Sequence, residues 1–401
     1  MKKIAAYILL ACFFACAAAG CLSPVSLDSY GYVISIGVDK GKTKRYYVTF
    51  ALQRELEQSN TESEGGADIL TCECDSLDEA KTEVEGRVPF TLSFSRTNFF
   101  LFSEEIARSG AIEEFLSISF DAEKIRTSAA VVVTKKNVYE FIGALSANND
   151  ANITKLQTAV MHDLEKTGMV AIMSVSRLFE AAETGFFDYV APLGDTDESM
   201  ITDMQQKKDQ AEGKNPLENV KTGDIVGGLK SRMSGTALFS GWSMTGELTR
   251  EETMYLNMVN GEFINGTVTL PYGEEGDTVT LLLSLSSADR RLFSGAEPEA
   301  RVRISLKASL HKSPAGADKD ELNEWLVNSV PEYLEGRLSA VFEKCREAGS
   351  DAMRFGALAL MSMKSEEERT AFVRESFLAS LQAAFEVRIV NTDVLISGER
   401  K

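Results

Sequence analysis

A polar stretch at residues 195–232 divides the chain into two parts, each with its own hydrophobic patterning. The stretch is rich in Asp, Glu, Gln, Lys, Asn and Gly and contains no aromatic residue. A segment of this composition cannot bury enough apolar area to offset the entropy that is lost on ordering. It is therefore predicted to be a polar linker or a long insertion, and it marks the main domain boundary of the 401-residue chain.

The N-terminus carries a segment with the pattern of an export signal. Lys2 and Lys3 precede an apolar run from Ile4 to Ala19, which is short for a membrane-spanning helix. Small residues follow, and Cys21 stands directly after them in the sequence Ala18-Ala-Gly-Cys21. These features predict a signal peptide at residues 1–20, with cleavage before Cys21. Because no apolar run of about 18 residues recurs beyond this point, the mature body is expected to be water-soluble.

Composition restricts the chemistry that the chain can perform. Asp and Glu total 60 against 42 for Lys and Arg, which gives a formal net charge of −18. Nucleic acid is therefore not an expected partner, because phosphate neutralisation dominates such binding. The chain has only two histidines, His162 and His311, and neither has a cysteine or a second histidine near it in sequence. Zinc coordination and histidine-dependent nucleophilic catalysis are accordingly disfavoured.

Three cysteines remain in the mature chain once Cys21 is set aside, namely Cys72, Cys74 and Cys345. An odd number argues against a disulfide framework, and a bridge between Cys72 and Cys74 would be strained. All three are predicted to be free thiols, with Cys345 in the core stripe of a helix.

Hydrophobic periodicity predicts both strands and helices along the mature chain. Alternation over 30–38 and 45–53 predicts a β-hairpin, and the uniformly apolar run at 127–134 predicts a central strand covered on both faces. Further strands are predicted at 91–102, 187–192, 235–239, 244–248, 262–270, 278–286, 300–311 and 387–397. Helices are predicted at 76–84, 104–116, 137–145, 154–166, 175–183, 250–260, 321–348 and 366–385.

These elements define a mixed, multi-domain α+β architecture in which β-sheets are flanked by helices. An N-terminal α/β domain is predicted at residues 21–194, with the polar linker or insertion at 195–232. A C-terminal α+β domain is predicted at 233–401, rich in antiparallel strands and containing two long helices.

Catalytic motifs are missing from the sequence. It has no phosphate loop of the GxxxxGK[ST] type, no GxGxxG turn after a strand, no HExxH, no GxSxG and no paired CxxC. No catalytic, cofactor-binding or metal-binding residue is therefore assigned, and the chain is interpreted as a non-enzyme. An acid–base site built from scattered carboxylates remains an alternative, since it would leave no signature.

Aromatic residues crowd two of the predicted strand regions. Four of them, Phe94, Phe99, Phe100 and Phe102, lie in one region, and Tyr30, Tyr32, Tyr46 and Tyr47 lie in the hairpin. One interpretation places them in a core on two faces of a sheet. The other makes part of this surface a docking site for a membrane-embedded partner.

Four blocks of sequence, in order, resemble the C subunit of spore germinant receptors, the Ger(x)C family of lipoproteins. They are Tyr32-Val-Ile-Ser-Ile-Gly-Val-Asp39 with Tyr46-Tyr-Val-Thr-Phe50; Phe99-Phe-Leu-Phe-Ser-Glu-Glu-Ile-Ala-Arg108 with Gly110, Asp121 and Arg126; Gly235-Thr-Ala-Leu-Phe239 with Gly246-Glu-Leu248 and Gly261; and Glu335 with Asp351, Phe355 and Gly356. The export segment ending at Cys21 likewise resembles the lipobox of bacterial lipoproteins. The sequence departs from the family at Leu22-Ser23-Pro24, where a Trp-Asp pair is common, and at Ser95-Arg96, where a His is common.

The resemblance implies a non-enzymatic subunit whose Cys21 carries the lipid. Such a subunit would be anchored to the outer face of the cell membrane, here the spore inner membrane. It would work in nutrient sensing with the membrane-embedded A and B subunits of the receptor and would need no cofactor.

An alternative is a solute-binding lipoprotein of a transporter, because two lobes around a linker fit that class superficially. Such proteins usually contain repeated parallel βαβ units, and the antiparallel pattern from Gly235 to His311 fits them poorly.

Overall fold

The computed structural model describes residues 30–53, 67–122, 125–147, 167–196, 231–273, 277–295, 297–313 and 317–393. Cys21, the export segment, the predicted helix at 154–166 and most of the polar stretch lie outside these residues. The strands are β1 (Tyr30–Lys40), β2 (Tyr46–Gln53), β3 (Ala67–Cys74), β4 (Thr91–Ser93), β5 (Phe99–Ser103), β6 (Ala130–Thr134), β7 (Met173–Ser174), β8 (Val190–Thr196), β9 (Ser231–Ser240), β10 (Ser243–Thr249), β11 (Asn265–Tyr272), β12 (Asp277–Phe293), β13 (Glu299–Lys312) and β14 (Gln382–Asp393). The helices are α1 (Leu77–Glu85), α2 (Glu104–Ser109), α3 (Ile112–Ala122), α4 (Val138–Ala147), α5 (Val175–Thr184), α6 (Arg250–Asn260), α7 (Lys319–Glu347), α8 (Phe355–Ser362), α9 (Glu366–Ala371) and α10 (Arg374–Ser380).

Two β-sheets organise the described residues. The first has ten strands in the order β10-β9-β8-β6-β5-β1-β2-β3, with β4 paired to β1 and β7 paired to β6. The second has four strands in the order β11-β12-β13-β14. Helices pack against both sheets, which confirms the mixed α+β class predicted from the sequence.

The first sheet is mixed in direction. Strands β1, β5, β6 and β8 run parallel to one another, whereas β2, β3, β9 and β10 are added through antiparallel pairs. The hairpin predicted from residues 30–53 is the β1–β2 pair, in which Val38 lies opposite Val48. Strand β6 is central as predicted, because Val131 and Val133 join the core on one face and Val132 joins the core on the other.

The polar stretch has an unexpected position relative to this sheet. Strands β8 and β9, which flank it, are neighbouring antiparallel strands, and they take in residues 195–196 and 231–232 at its two ends. The C-terminal half of the chain therefore contributes β9 and β10 to the same sheet as β1 to β8. The division into domains at this stretch stays a prediction.

The second sheet packs its inner face against the long helix α7. The predicted apolar stripe of that helix is buried, with Leu334 and Leu338 at 0% exposure and Cys345 at 2%. The facing strand β13 alternates as expected for a half-covered sheet, with Val302, Ile304 and Leu306 buried.

The helix predicted at 366–385 is wrong in its extent. The segment forms the short helices α9 and α10, separated by the extended residues Phe372 and Val373, and β14 already begins at Gln382. Phe385 therefore lies on a strand, where its ring packs at 6.3 Å from that of Phe342. The spacing of Phe377, Leu381 and Phe385 suits a helix, but pairing of residues 382–393 with β13 prevails, because tertiary contacts override weak local propensity.

Most of the crowded aromatic residues belong to the core. Phe94, Phe100, Phe102 and Tyr46 are at most 3% exposed, and Phe99 is 6% exposed. Tyr30 differs, with 39% of its surface exposed at the beginning of β1. The core interpretation is therefore confirmed for these five residues.

Candidate functional site

A buried ionic cluster joins the first sheet to helices α8 and α10, which lie between β13 and β14 in the chain. Its members are Asp188, just before β8; Asp351, just before α8; and Arg374, the first residue of α10. The side chain of Asp188 is 1% exposed and that of Arg374 is 11% exposed. We call these three residues the ionic joint.

Asp188 is the centre of the joint. One carboxylate oxygen accepts hydrogen bonds from the backbone N–H of Gly241, at 2.8 Å, and from the Arg374 guanidinium. The other oxygen accepts a bond from the backbone N–H of Asp351, also at 2.8 Å. Arg374 additionally donates to the hydroxyl of Ser240 at 3.1 Å. A single carboxylate thus connects the β9–β10 turn, the segment before α8 and the beginning of α10.

Asp351 fixes the beginning of α8. Its carboxylate accepts hydrogen bonds from the backbone N–H groups of Phe355, at 2.9 Å, and Gly356, at 2.7 Å. These N–H groups belong to the first turn of α8, and backbone N–H groups in a first turn have no acceptor within the helix itself. Gly356 also lies against the backbone of Phe186, since a Cβ at this position would stand 1.7 Å from the Phe186 carbonyl oxygen. The contact holds α8 directly against the segment that leads into β8.

Burial raises the pKa of the joint carboxyls. Removal from water raises the pKa of Asp351 to about 7, with the hydrogen bonds from Gly356 and Phe355 opposing the rise and the charge of Asp188 adding to it. The pKa of Asp188 is also raised, chiefly by burial, while the bond from Asp351 and the charge of Arg374 oppose that effect. Each oxygen of both carboxyls accepts at least one hydrogen bond from the protein, which is the arrangement of a structural cluster.

A third buried carboxylate, Asp39, also binds the beginning of a helix, at the opposite end of the first sheet. It lies at the end of β1 and accepts bonds from the backbone N–H groups of Val138, at 2.9 Å, and Tyr139, at 3.3 Å. A carboxylate at the N-terminus of α4 also interacts favourably with the helix dipole. Burial nevertheless raises the pKa of Asp39 to about 6.

Glycines permit close approach at two further contacts. Gly235 on β9 has φ +155°, and a Cβ there would meet the carbonyl oxygen of Leu248 at 1.9 Å. Gly246 on β10 lies against Ala348, which follows α7, with a distance of 3.0 Å for the added Cβ. Strand β10 can therefore pack directly against the end of the long helix.

Further ion pairs and hydrogen bonds connect elements of the C-terminal part of the chain to one another. Arg354 bonds to Glu262 at 2.9 Å, and Lys344 of α7 bonds to Glu252 of α6 at 2.8 Å. Arg290 of β12 donates to the carbonyl of Met353 at 2.8 Å and to Asn260 at 3.2 Å. Met353 and Arg354 lie within three residues of Asp351, and their partners are 63 and 92 positions away in sequence.

Two family models match the chain in order. The model described as the spore germination protein N-terminal domain matches residues 23–195, and the model described as spore germination B3/GerAC like, C-terminal, matches residues 234–387. The chain belongs to the GerAC-like family of spore germination proteins. This result confirms the resemblance to germinant receptor C subunits and favours that interpretation over a solute-binding lipoprotein.

A solved structure has the same overall fold as this family member. The crystal structure of the GerBC protein is similar to it with a TM-score of 0.54 and 13% identity, covering 90% of this chain and 97% of the GerBC chain. A comparison with the curated proteins found no match.

The blocks that carried the resemblance lie largely at the contacts described above. Asp39 belongs to the first block, Gly235 and Gly246 to the third, and Asp351 and Gly356 to the fourth. Glu335, also in the fourth block, accepts a hydrogen bond from the backbone N–H of Val387 on β14 at 2.8 Å. The residues shared with the family pattern thus hold sheets and helices to one another.

Sequence reasoning missed two of the three joint residues, Asp188 and Arg374. The acidic residue precedes a strand and the basic one begins a short helix, and neither position has a local pattern that sets it apart. Their separation is 186 positions. Only the tertiary structure brings them together.

Three of the four cysteines of the predicted mature chain lie within the described residues. Cys72, Cys74 and Cys345 are all buried and unbridged, which confirms the expectation of free thiols. Cys21, the predicted lipid attachment site, lies outside the described residues and stays a prediction.

Three further observations concern membrane insertion, metal binding and ligand binding. Within the described residues, no helix is both long enough and apolar enough to cross a membrane. The same ranges contain no group of three or more His, Cys, Asp and Glu side chains placed to hold a metal ion. A cleft between β11 and α7 is lined by Leu270, Pro271, Trp325, Ser329, Val330 and Tyr333, none of which is charged.

The raised carboxyl pKa values predict the pH dependence of stability. In the unfolded chain the pKa of Asp is about 3.9, so the folded state binds more protons between about pH 4 and 7. The contribution of Asp39 and Asp351 to the free energy of unfolding should therefore fall as the pH rises from about 5 to about 7. Urea unfolding across this range measures it.

A double substitution provides the control for this pH dependence. The Asp39→Asn, Asp351→Asn variant should lose most of the slope, because its amides do not titrate. Surface carboxyls with a lowered pKa, such as Glu79 and Glu386, titrate at a pH below this range. In that lower range their contribution to stability rises with pH, which is opposite to the effect of the buried carboxyls. A wild-type stability that rises steadily from about pH 5 to 7 would contradict the assignment.

Proposed function

We propose that this family member is a lipid-anchored, non-enzymatic subunit of a nutrient germinant receptor. In this proposal Cys21 carries the lipid and holds the folded body at the outer face of the spore inner membrane. There the body binds the membrane-embedded A and B subunits and is required for their response to a nutrient. The observation that carries the proposal is the ordered pair of family matches on one chain whose N-terminus has a lipoprotein export pattern.

The anchor has a physical role because the body itself has a poor affinity for anionic membranes. Cleavage before Cys21 would remove Lys2 and Lys3 from a chain whose formal net charge is already −18. Such a body is repelled by anionic headgroups. A single acyl chain binds a bilayer only marginally, whereas a lipid with two or more chains holds a protein stably. Confinement at the surface then raises the effective concentration of the body near its membrane partners.

The ionic joint supports an assembly role over a catalytic one. Its buried carboxylates are occupied by backbone N–H groups and Arg374, and they connect the β9–β10 turn of the first sheet to α8 and α10. An assembly subunit needs such fixed geometry, since partners must meet surfaces contributed by both halves of the chain.

Substitution of Cys21 by Ala tests the anchor. The variant should move from the membrane fraction to the soluble fraction of spore extracts, and germination in response to the nutrient should be lost. Ser23→Ala is the matched control, because it changes the same segment without removing the thiol. Fusing the Cys21→Ala body to an unrelated transmembrane helix should restore part of the response. Normal germination from spores that contain only the released body would contradict the proposal.

A further inference from the structure

Helix α8 is as apolar as a buried helix, although part of it lies at the surface. Its sequence, Phe355-Gly-Ala-Leu-Ala-Leu-Met-Ser362, is apolar all round, which is typical of a fully buried helix. Only Phe355, Gly356 and Ala359 are buried. Leu360 is half-buried, and Met361 is 75% exposed, more than any other large hydrophobic residue of the described part of the chain.

Other apolar side chains lie beside this helix. The ring of Phe186, whose backbone contacts Gly356, stacks on Phe372 with ring centroids 5.0 Å apart. Val373, the next residue, is 54% exposed. The ion pair between Arg374 and Asp188 fixes the chain at this point and leaves Val373 on the outside. We call the residues Phe186, Leu360, Met361, Phe372 and Val373 the apolar corner.

The topology places the apolar corner at the end of the first sheet where the anchor attaches. Because β1, β5, β6 and β8 are parallel, the N-terminal ends of β1 and β8 lie at the same end of the sheet. Three strand spacings separate these two strands, about 14 Å. Phe186 shortly precedes β8, and Tyr30 begins β1 nine positions after Cys21. Nine residues span at most about 30 Å, so a lipid on Cys21 would keep this end near the bilayer.

The charge around the corner disfavours a lipid surface as its occupant. Helix α9, between α8 and α10, begins with the exposed residues Glu366, Glu367 and Glu368, and Glu375 is exposed on α10. Two exposed basic residues, Lys364 and Arg369, offset these charges only in part. Anionic headgroups would be repelled by such a rim, whereas a protein surface with Lys or Arg beside an apolar side chain would complement it.

We propose that the apolar corner is the docking surface for a membrane-embedded subunit of the receptor. The partner would pack an apolar side chain against the exposed Met361 or Val373 and place Lys or Arg residues against Glu366–Glu368. A central apolar anchor surrounded by a polar rim is the usual anatomy of a protein–protein interface. The inference rests on the proposed function, because it assigns a surface to the assembly proposed above.

Glutamate substitutions in the full-length, anchored chain test the corner. In spores that express the variant Met361→Glu, Val373→Glu, the amount of A and B subunits that co-purify from detergent-solubilised membranes should fall about tenfold or more. Val327→Glu and Val390→Glu are matched controls, because both valines are about as exposed, at 49% and 52%. They should leave co-purification unchanged. The melting temperature of all variants should match that of the wild type, since each side chain is already in contact with water.

A photo-crosslinking amino acid at position 361 or 390 of an otherwise unchanged chain avoids dependence on a destabilised variant. The product from position 361 should have the combined mass of this chain and one membrane subunit, and position 390 should give none. Unchanged co-purification, or a cross-link to a second copy of this chain, would overturn the proposal. So would flotation of the Cys21→Ala body with phosphatidylglycerol vesicles that the corner substitutions abolish. Because the anchor is tested separately through Cys21, a failure confined to the corner would leave the proposed function standing.

Discussion

Replacement of Arg374 by Ala is expected to destabilise the folded chain by about 3–5 kcal/mol at neutral pH. The reason is that Asp188, with a side chain that is 1% exposed, would keep its buried charge without its cationic partner. The loss should shrink as the pH falls, because a protonated Asp188 needs no counter-charge. Urea unfolding of the purified chain measures the change.

The two tryptophans report separately on the two sheets. Trp242 packs against Tyr189 beside the first sheet, and Trp325 packs against Tyr272 beside the second. In the wild type both should report one transition, because the ionic joint couples the two regions. In the Arg374→Ala variant the transitions should move to lower urea concentration and separate. Single-tryptophan versions, made with Trp242→Phe or Trp325→Phe, distinguish the two signals.

Arg303→Ala is the matched control for this substitution. Arg303 pairs with Glu386 at 2.8 Å on the outer face of the second sheet, where both side chains are more than 40% exposed. Exposed pairs of this kind contribute about 0–1 kcal/mol. If the Arg374 and Arg303 variants lost the same small amount of stability, the ionic joint would not have the role assigned to it.

Replacement of Gly356 by Ala is expected to cost about 2–3 kcal/mol or more. The added methyl group would lie 1.7 Å from the Phe186 carbonyl oxygen and 3.0 Å from an oxygen of Asp351. Backbone atoms cannot move aside as a flexible side chain can, so α8 would have to separate from the segment before β8. The separation would also weaken the hydrogen bonds by which Asp351 fixes the beginning of the helix.

Gly336→Ala provides the opposite case within the long helix α7. No atom lies within 4 Å of a Cβ added there, and the residue is exposed. The substitution should stabilise the chain by about 0.5–1 kcal/mol, because alanine loses less conformational entropy in a helix. Equal effects of the two glycine substitutions in urea unfolding would argue against the close contact at Gly356.

Elements with a strong local pattern could be predicted from the sequence. The alternation over 30–53 required a hairpin, the uniformly apolar run at 127–134 required a covered strand, and the stripe of α7 required burial on one side. In each case neighbouring residues alone carry the signal.

Features that depend on distant residues could not be predicted in this way. The parallel pairing of β14 with β13 converts part of an expected helix into a strand, and no property of residues 382–385 alone requires it. The same holds for the ionic joint, where Asp188 and Asp351 are 163 positions apart. The polar stretch was predicted from its composition, yet the adjacency of β8 and β9 on either side of it became evident only from the sheet topology.

The fold also gives a physical meaning to the family resemblance. Buried carboxylates at positions 39 and 351 cap helices, and glycines at 235, 246 and 356 allow neighbouring elements to approach closely. A chain with these contacts keeps surfaces from both halves in one arrangement.

Mass spectrometry of the mature N-terminus, on chain purified from the spore inner membrane, tests whether Cys21 anchors the protein. We expect the chain to begin at Cys21, the thiol to carry a diacylglyceryl group and the material to be recovered with the membrane. A chain that begins with an unmodified Cys21 and is recovered in the soluble fraction would contradict this expectation.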